Sequence, residues 1–170
     1  MAINKWITVD GKKYRAVEDG RIAANEIIGE YGSDYYLGAD GVLVTGIFDY
    51  NGNKYYAKPD GKIVKRGLIE TDGEYYIPNS DGTLKHDTKT EIYFSEYILG
   101  SDCKAVKGFT TYDGQRYYCK SNGRVAKDYM FTVDGYTYYA KKDGTLAVSE
   151  TITRYFKKYT FDENGHLIKK

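Results

Sequence analysis

The side chains in this 170-residue chain with most to offer a reaction or a ligand are few in kind: 20 tyrosines, two histidines, two cysteines, and acids that recur in candidate turns. Acid–base and nucleophilic catalysis need groups that converge. His86 lies shortly after Leu84 and His166 follows Asn164-Gly165, so both read as exposed loop residues. Glu91 and Glu96 have the residue types of a glycosidase pair, and turnover there would be lost on their substitution, but nothing around them marks more than solvated carboxylates. Cys103 and Cys119 are sixteen residues apart and open to two readings, pairing in an oxidising compartment or simple packing. Packing is preferred, because nothing else resembles a disulfide framework. Neither cysteine has a His or Cys partner at ligand spacing, and no loop has the alternating acids of an EF-hand, so neither a metal nor another cofactor is expected. The catalytic inventory is empty.

The tyrosines differ, because they recur as neighbours: Tyr35-Tyr36, Tyr55-Tyr56, Tyr75-Tyr76, Tyr117-Tyr118 and Tyr138-Tyr139. A tyrosine offers a flat apolar ring with a hydroxyl at its edge, which is chemistry for adhesion. The elements that carry these pairs are set by glycine. Gly20, Gly41, Gly61, Gly82, Gly123, Gly144 and Gly165 are spaced by 20 or 21 residues apart from one interval of 41. An inner series, Gly11, Gly32, Gly52, Gly73, Gly114 and Gly135, precedes the next outer glycine by nine. A fixed period of this length marks a repeat architecture. Asp or Asn stands before nearly all of these glycines, the pair that supplies the two positive φ angles of a type I′ turn, so both series are read as type I′ turns. Each repeat then reads as strand, tight turn, tyrosine strand, tight turn.

The predicted fold is all-β: one repeat domain over residues 1–170, a solenoid of about eight stacked hairpins of 20–21 residues, with units near 5–25, 26–46, 47–67, 68–87, 88–108, 109–128, 129–149 and 150–170. A lone hairpin cannot offset its ordering entropy, so neighbours must supply burial and hydrogen bonds. An aliphatic residue two positions after each outer glycine (Ile22, Leu43, Ile63, Leu84, Val125, Leu146, Leu167) fits an interior rail. The fifth unit looks irregular: Tyr93-Phe94 replace the tyrosine pair, no Asp-Gly precedes them, and Gly100-Ser101 stand where an outer turn is due. A bend or an enlarged loop is expected there.

Formal net charge is +1 with bases spread singly, so no stripe exists to gather the phosphates of a nucleic acid. No apolar run approaches the roughly 20 residues of a membrane span, so no membrane insertion is expected. A signal peptide's apolar segment is likewise missing, and an origin as a piece of a longer exported protein is expected.

Segments such as residues 46–61, with Asn51-Gly52, Tyr55-Tyr56 and Asp60-Gly61, and 108–123, with Asp113-Gly114, Tyr117-Tyr118 and Asn122-Gly123, resemble the cell-wall-binding repeats of Gram-positive surface proteins. Relatives in that superfamily are choline-binding modules, glucan-binding repeats and the repetitive region of clostridial toxins. The resemblance implies a hairpin solenoid, an extracellular or cell-surface location, and ligand sites between consecutive hairpins. The choline-binding branch has one tryptophan five residues before the inner glycine and another two after it. Here the first place holds Trp6, Ile27, Ile47, Leu68, Phe109 and Met130, and the second Lys13, Asp34, Lys54, Tyr75, Arg116 and Thr137. A cation in the second place repels a quaternary ammonium, so choline is disfavoured and a cell-wall polymer or extracellular glycan is the expected partner. The expected ligand-binding residues are Tyr55, Tyr56, Phe109, Tyr117, Tyr118, Tyr138 and Tyr139, with Lys54 and Arg116 as polar neighbours. The expected function is a non-catalytic module that anchors or targets an exported protein. The alternative is a structural spacer or protein-binding rod, and the ends of such a stack invite end-to-end self-association.

Overall fold

The structure, a computed structural model, describes residues 3–169 and is all β, made of eight hairpins. The first three pair β1 (Lys5–Val9) with β2 (Lys12–Ala16), β3 (Glu26–Glu30) with β4 (Ser33–Leu37), and β5 (Gly46–Tyr50) with β6 (Asn53–Ala57). The fourth is short, β7 (Ile69–Thr71) with β8 (Glu74–Tyr76). Then follow β9 (Thr88–Ile92) with β10 (Ser95–Leu99), β11 (Gly108–Tyr112) with β12 (Gln115–Cys119), and β13 (Tyr129–Val133) with β14 (Tyr136–Ala140). The eighth pairs β15 (Thr151–Arg154) with β16 (Lys157–Phe161), and β17 (Leu167–Lys169) adds to β16 as a third strand.

The chain forms two compact units. The first runs up to Ile69 and includes Ile77–Lys85; the second is Glu70–Tyr76 with everything from His86 on. Within each, a hairpin is held by the connection that follows its neighbour. In the first unit Leu43 N donates to Lys13 O at 2.8 Å, Ile63 N to Asp34 O at 2.8 Å and Leu84 N to Lys54 O at 2.7 Å. In the second, Ala105, Val125 and Leu146 donate to the carbonyls of Tyr75, Glu96 and Arg116, each at 2.8 Å. The connection also pairs with its own hairpin, at Leu37↔Leu43 and Cys119↔Val125 for example. Backbone groups that a lone hairpin would leave to water are thus satisfied by the next copy. Ile63, Leu84, Val125 and Leu146 are buried as a rail residue should be and Ala105 takes that place in the fifth repeat, but Leu43 and Leu167 are half-buried and Ile22 is exposed. The outer glycines close on this rail: a Cβ on Gly61 would lie 2.5 Å from Leu43 Cδ2. Nothing but hydrogen fits there.

The two turn series differ. Inner turns have positive φ at both central residues, 49° and 75° at Asp10-Gly11, as type I′ requires. Outer turns, expected to match, have a positive φ at glycine but not at the preceding Asp or Asn. There the acid works as an Asx turn instead, with Oδ1 accepting the N–H two residues on, from Val42 to Asp40 and from Thr83 to Asp81.

The fifth hairpin is regular, contrary to expectation. β9 and β10 pair over five residues, as β5 and β6 do. Tyr93-Phe94 do not stand in for the tyrosine pair; they are the inner turn, with φ of 50° and 57°. Cys103 supplies the outer turn at φ 69°, with its N–H on Gly100 O at 3.0 Å, as Gly82 does on Asn79 O. It is the glycine missing from the 41-residue interval. Tyr75-Tyr76 are also displaced from the pattern. Tyr76 is buried four residues after the turn-opening Asp72, as Tyr55 is after Asn51, so Tyr75 takes the place of Lys54. A slip of one residue along a strand exchanges faces.

Candidate functional site

The doublet tyrosines chosen from sequence differ in burial. Tyr55, Tyr117, Tyr138 and Tyr139 are all less than a tenth exposed. Tyr55 stacks on Phe48 with centroids 5.4 Å apart, and Tyr139 OH donates to Asp128 Oδ1 at 2.9 Å, fixing the start of its own hairpin. Burial pushes the phenols of Tyr55, Tyr138 and Tyr139 above their ordinary value, so they remain neutral donors. Lys89 Nζ lies 5.0 Å from the Tyr117 ring centre. Tyr56 and Tyr118 are half-buried and Phe109 is 38% exposed. Phe109, Tyr118 and Tyr138 do come together, with Phe109 4.7 Å from Tyr138 and 5.0 Å from Tyr118. Lys54 is paired with Asp49 at 2.8 Å, and Arg116 Nη1 donates to Asn164 O at 2.8 Å.

Of the catalytic candidates, Glu91 and Glu96 face each other across β9 and β10. Glu91 is exposed, and Glu96 is paired with Lys127 at 3.0 Å and lies 3.7 Å from Lys89. His86 is exposed beside Asp87 as expected. His166 is not a free loop residue: it is half-buried, stacked on Tyr136 at 4.0 Å and edge-on to Tyr138 at 5.3 Å. Cys119 is a buried free thiol whose pKa desolvation raises to about 11, so it stays protonated and inert at neutral pH.

An open cleft of about 370 Å³ lies in the first unit, lined by Trp6, Thr8, Lys13, Tyr35, Leu43, Asp60 and Lys62. Three hairpins build it. Trp6 and Thr8 come from β1, Lys13 from β2, Tyr35 from β4, Leu43 from the second hairpin's return, and Asp60 and Lys62 from the outer turn of the third. The isolated bridge Tyr35↔Lys62 fixes that turn against β4. Trp6 and Tyr35 meet edge to face, with centroids 5.1 Å apart. Trp6 is held from behind: its Nε1 donates to Glu30, which also pairs with Arg15 at 3.0 Å, and the Arg15 guanidinium lies 6.0 Å from the Trp6 ring. The Lys62 backbone N–H, and then its ammonium at 3.3 Å, hold the Asp60 carboxyl below the usual range, so it is ionised at neutral pH. The cleft thus offers two rings, one carboxylate and two ammonium groups, with the carboxylate paired to Lys62.

The same repeat positions recur in the second unit with other residues. Phe109, Arg116 and Tyr138 follow Trp6, Lys13 and Tyr35 by 103 residues, and Asn164 and His166 follow Asp60 and Lys62 by 104. Here an amide replaces the carboxylate, and Phe109 packs with Tyr118, Phe131 and Tyr138. The residues expected from sequence include Phe109, Arg116 and Tyr138 of this second set but none of Trp6, Tyr35, Asp60 and Lys62. The available signal was Trp6, the single tryptophan of the chain.

Comparison with known proteins follows the same lines. A model of the choline-binding repeat matches residues 1–43, which hold Trp6 and Tyr35, and a model of the putative cell wall binding repeat matches 47–63 and 107–124. Together these matches support a relationship to the cell-wall-binding repeats of Gram-positive surface proteins. Among solved structures of the family, choline binding protein F of Streptococcus pneumoniae is 26% identical with a TM-score of 0.73, over 96% of this chain and 57% of that one. The choline-binding domain of CbpL from the same organism is 25% identical with a TM-score of 0.72, over 99% and 98% of the two chains. The modular autolysin LytC, again from Streptococcus pneumoniae, shares the fold at 23% identity and a TM-score of 0.75, over 91% of this chain and 36% of its own. The chain therefore spans just over half of choline binding protein F. A search of curated protein sequences found no match.

The matched repeats are of a kind that occurs in wall-binding modules of surface proteins. The match also corrects one expectation. Choline was disfavoured because cations occupy the second motif position, yet the matching model over residues 1–43 is a choline-binding repeat, and proteins that bind choline share the fold. Those cations are not bare: Lys54 pairs with Asp49 and Arg116 donates to a carbonyl, while Lys13 shares the first cleft with Trp6 and Asp60.

Proposed function

We propose that this module holds a surface protein to a choline-bearing polymer of the cell wall, with the ammonium group seated in the Trp6–Tyr35 cleft. The single observation behind this is that cleft: an indole and a phenol edge to face, open to solvent, beside an ionised carboxylate. A partly desolvated quaternary ammonium against a tryptophan face is stabilised by up to about 2 kcal/mol. Leu43 meets the methyl groups, which form no hydrogen bonds and gain from apolar burial. Lys13 and Lys62 at the rim oppose a bare cation but favour one that carries its own anion. The ligand that suits the rings, Leu43, Asp60 and both lysines is therefore a choline phosphodiester, the ammonium inward against the rings and the phosphate outward against the lysines. Weak binding at one cleft suits a polymer, because repetition of the ligand and tethering of the module raise the effective concentration.

The test is calorimetry with the full chain. Phosphocholine binds more tightly than choline, and both compete the chain off isolated choline-containing walls. Walls lacking choline that retain the chain equally well would overturn this reading.

A further inference from the structure

Inner turns point into open space: at Gly11, Gly52, Gly73, Gly114 and Gly135 an added Cβ would meet nothing within 4 Å. Five of the eight tips use Asp or Asn followed by glycine. The fifth and eighth hairpins, both in the second unit, place aromatic pairs there instead. Tyr93-Phe94 have φ of 50° and 57°, and Tyr155-Phe156 have 50° and 63°. The left-handed region is costly for any residue with a Cβ, and these rings are not buried in return. Phe94 and Phe156 are fully exposed, Tyr93 71% and Tyr155 78%. Strain combined with exposed apolar area calls for a use.

The two tips differ in charge. Arg154 and Lys157 flank Tyr155-Phe156 as a cross-strand pair, with Lys158 next in line opposite Thr153. Arg154 lies 5.1 Å from the Tyr155 ring and also bonds Asp128, through its carbonyl at 3.1 Å and its carboxylate at 3.6 Å. Lys157 and Lys158 are exposed. At the fifth tip the matching places hold Ile92, Ser95, Glu96 and Glu91.

We propose that the tip of the eighth hairpin is a peripheral anchor for an anionic lipid surface, with Tyr155 and Phe156 in the headgroup layer and Lys157 and Lys158 against lipid phosphates. Two aromatic side chains offer on the order of 300–500 Å². A stable protein interface buries about 1,600 Å² in all, so the tip is too small for a folded partner. A convex tip also provides no groove in which polar groups could converge on a sugar. A bilayer interface needs no matching shape: aromatic rings settle at headgroup depth, and basic neighbours follow the negative surface potential.

The test is cosedimentation of the full chain with phosphatidylglycerol vesicles and with phosphatidylcholine vesicles, both in excess free choline so that the aromatic cleft is occupied. The chain sediments with the first and not the second. Tyr155→Asn with Phe156→Gly reduces binding by about tenfold or more, and so does Lys157→Glu with Lys158→Glu. The first double variant rebuilds the turn of Asn51-Gly52, so its melting temperature is at or above that of the parent. Tyr93→Asn with Phe94→Gly, at the acidic tip, leaves vesicle binding unchanged. Absence of binding to phosphatidylglycerol overturns the proposal, as does equal binding after Tyr155→Asn with Phe156→Gly. A dimer that this same variant dissolves, without vesicle binding, assigns the tip to self-association instead.

Discussion

The Trp6–Tyr35 and Phe109–Tyr138 pairs occupy the same repeat positions, 103 residues apart, yet their surroundings differ. In the first, the rings meet across an open space with Asp60 at its edge. In the second, Phe109 is drawn into a group with Tyr118, Phe131 and Tyr138, Asn164 stands where Asp60 would, and His166 stacks on Tyr136. A repeat fold conserves backbone positions, and each site is then decided by about five side chains. Where the rings satisfy each other the position contributes stability; where a ring is propped from behind, as Trp6 is by Glu30 and Arg15, its remaining surface is left for a ligand.

The largest expected difference between the clefts comes from removing the first ring of each. Trp6→Ala lowers affinity for phosphocholine by about thirtyfold in calorimetry, equivalent to about 2 kcal/mol of cation–π contact. Phe109→Ala leaves that affinity within about twofold and instead lowers unfolding stability by about 1–3 kcal/mol, since the ring is part of an aromatic cluster. The reverse result would exchange the roles of the two clefts.

Next comes the glycine that backs each outer turn. At Gly61 a Cβ would meet Leu43 at 2.5 Å in a residue with φ 87°, so Gly61→Ala displaces a lining residue of the first cleft. Stability falls by about 2–3 kcal/mol and phosphocholine affinity falls with it. At Gly165 the nearest atom is Ala147 O at 3.2 Å, and Gly165→Ala, read in the same denaturant titration, costs less and leaves phosphocholine affinity unchanged.

A smaller effect follows from carrying the carboxylate across. Asn164→Asp in the second cleft adds one exposed charge, worth up to about 1 kcal/mol, and produces a second, weaker phosphocholine site in calorimetry. No added heat would mean that ring packing, not charge, closes that cleft.

The smallest effect is in acid. Asp60 is held below its ordinary pKa by the Lys62 N–H, and Asp81 by the Thr83 hydroxyl and N–H. A carboxyl whose folded pKa lies below its unfolded one stabilises fully above the unfolded value, about 3.9 for Asp, and loses that contribution as pH falls through the folded value. Melting temperature is therefore flat above about pH 5 and declines below about pH 4, and Asp81→Asn makes the decline shallower. Choline, which does not titrate in this range, loses affinity as pH falls through the lowered pKa of Asp60, and Asp60→Asn removes that dependence.

Much of this was legible in the residues. The inner turns could be read because Asp or Asn before glycine solves one local problem, two successive left-handed residues. The repeat could be read because that solution recurs at a fixed interval. The outer turns were misread as the same type, since the same dipeptide also serves an Asx turn, and only the hydrogen-bond partner two residues on tells them apart. Tyr93-Phe94 were misread because aromatic residues are scarce in left-handed turns, and a pair of them resembles a strand.

By itself the sequence determined the period, the all-β class, the inner turns and the family, all properties of short stretches repeated along the chain. Only tertiary structure decided which ring of each doublet is core, that Cys103 fills a glycine's place, and that Trp6, Tyr35 and Asp60 share one cleft. Strand alternation says that neighbours face opposite sides but not which side is covered. The covering comes from the next hairpin, through hydrogen bonds about 30 residues away in the chain, such as that from Leu43 to Lys13.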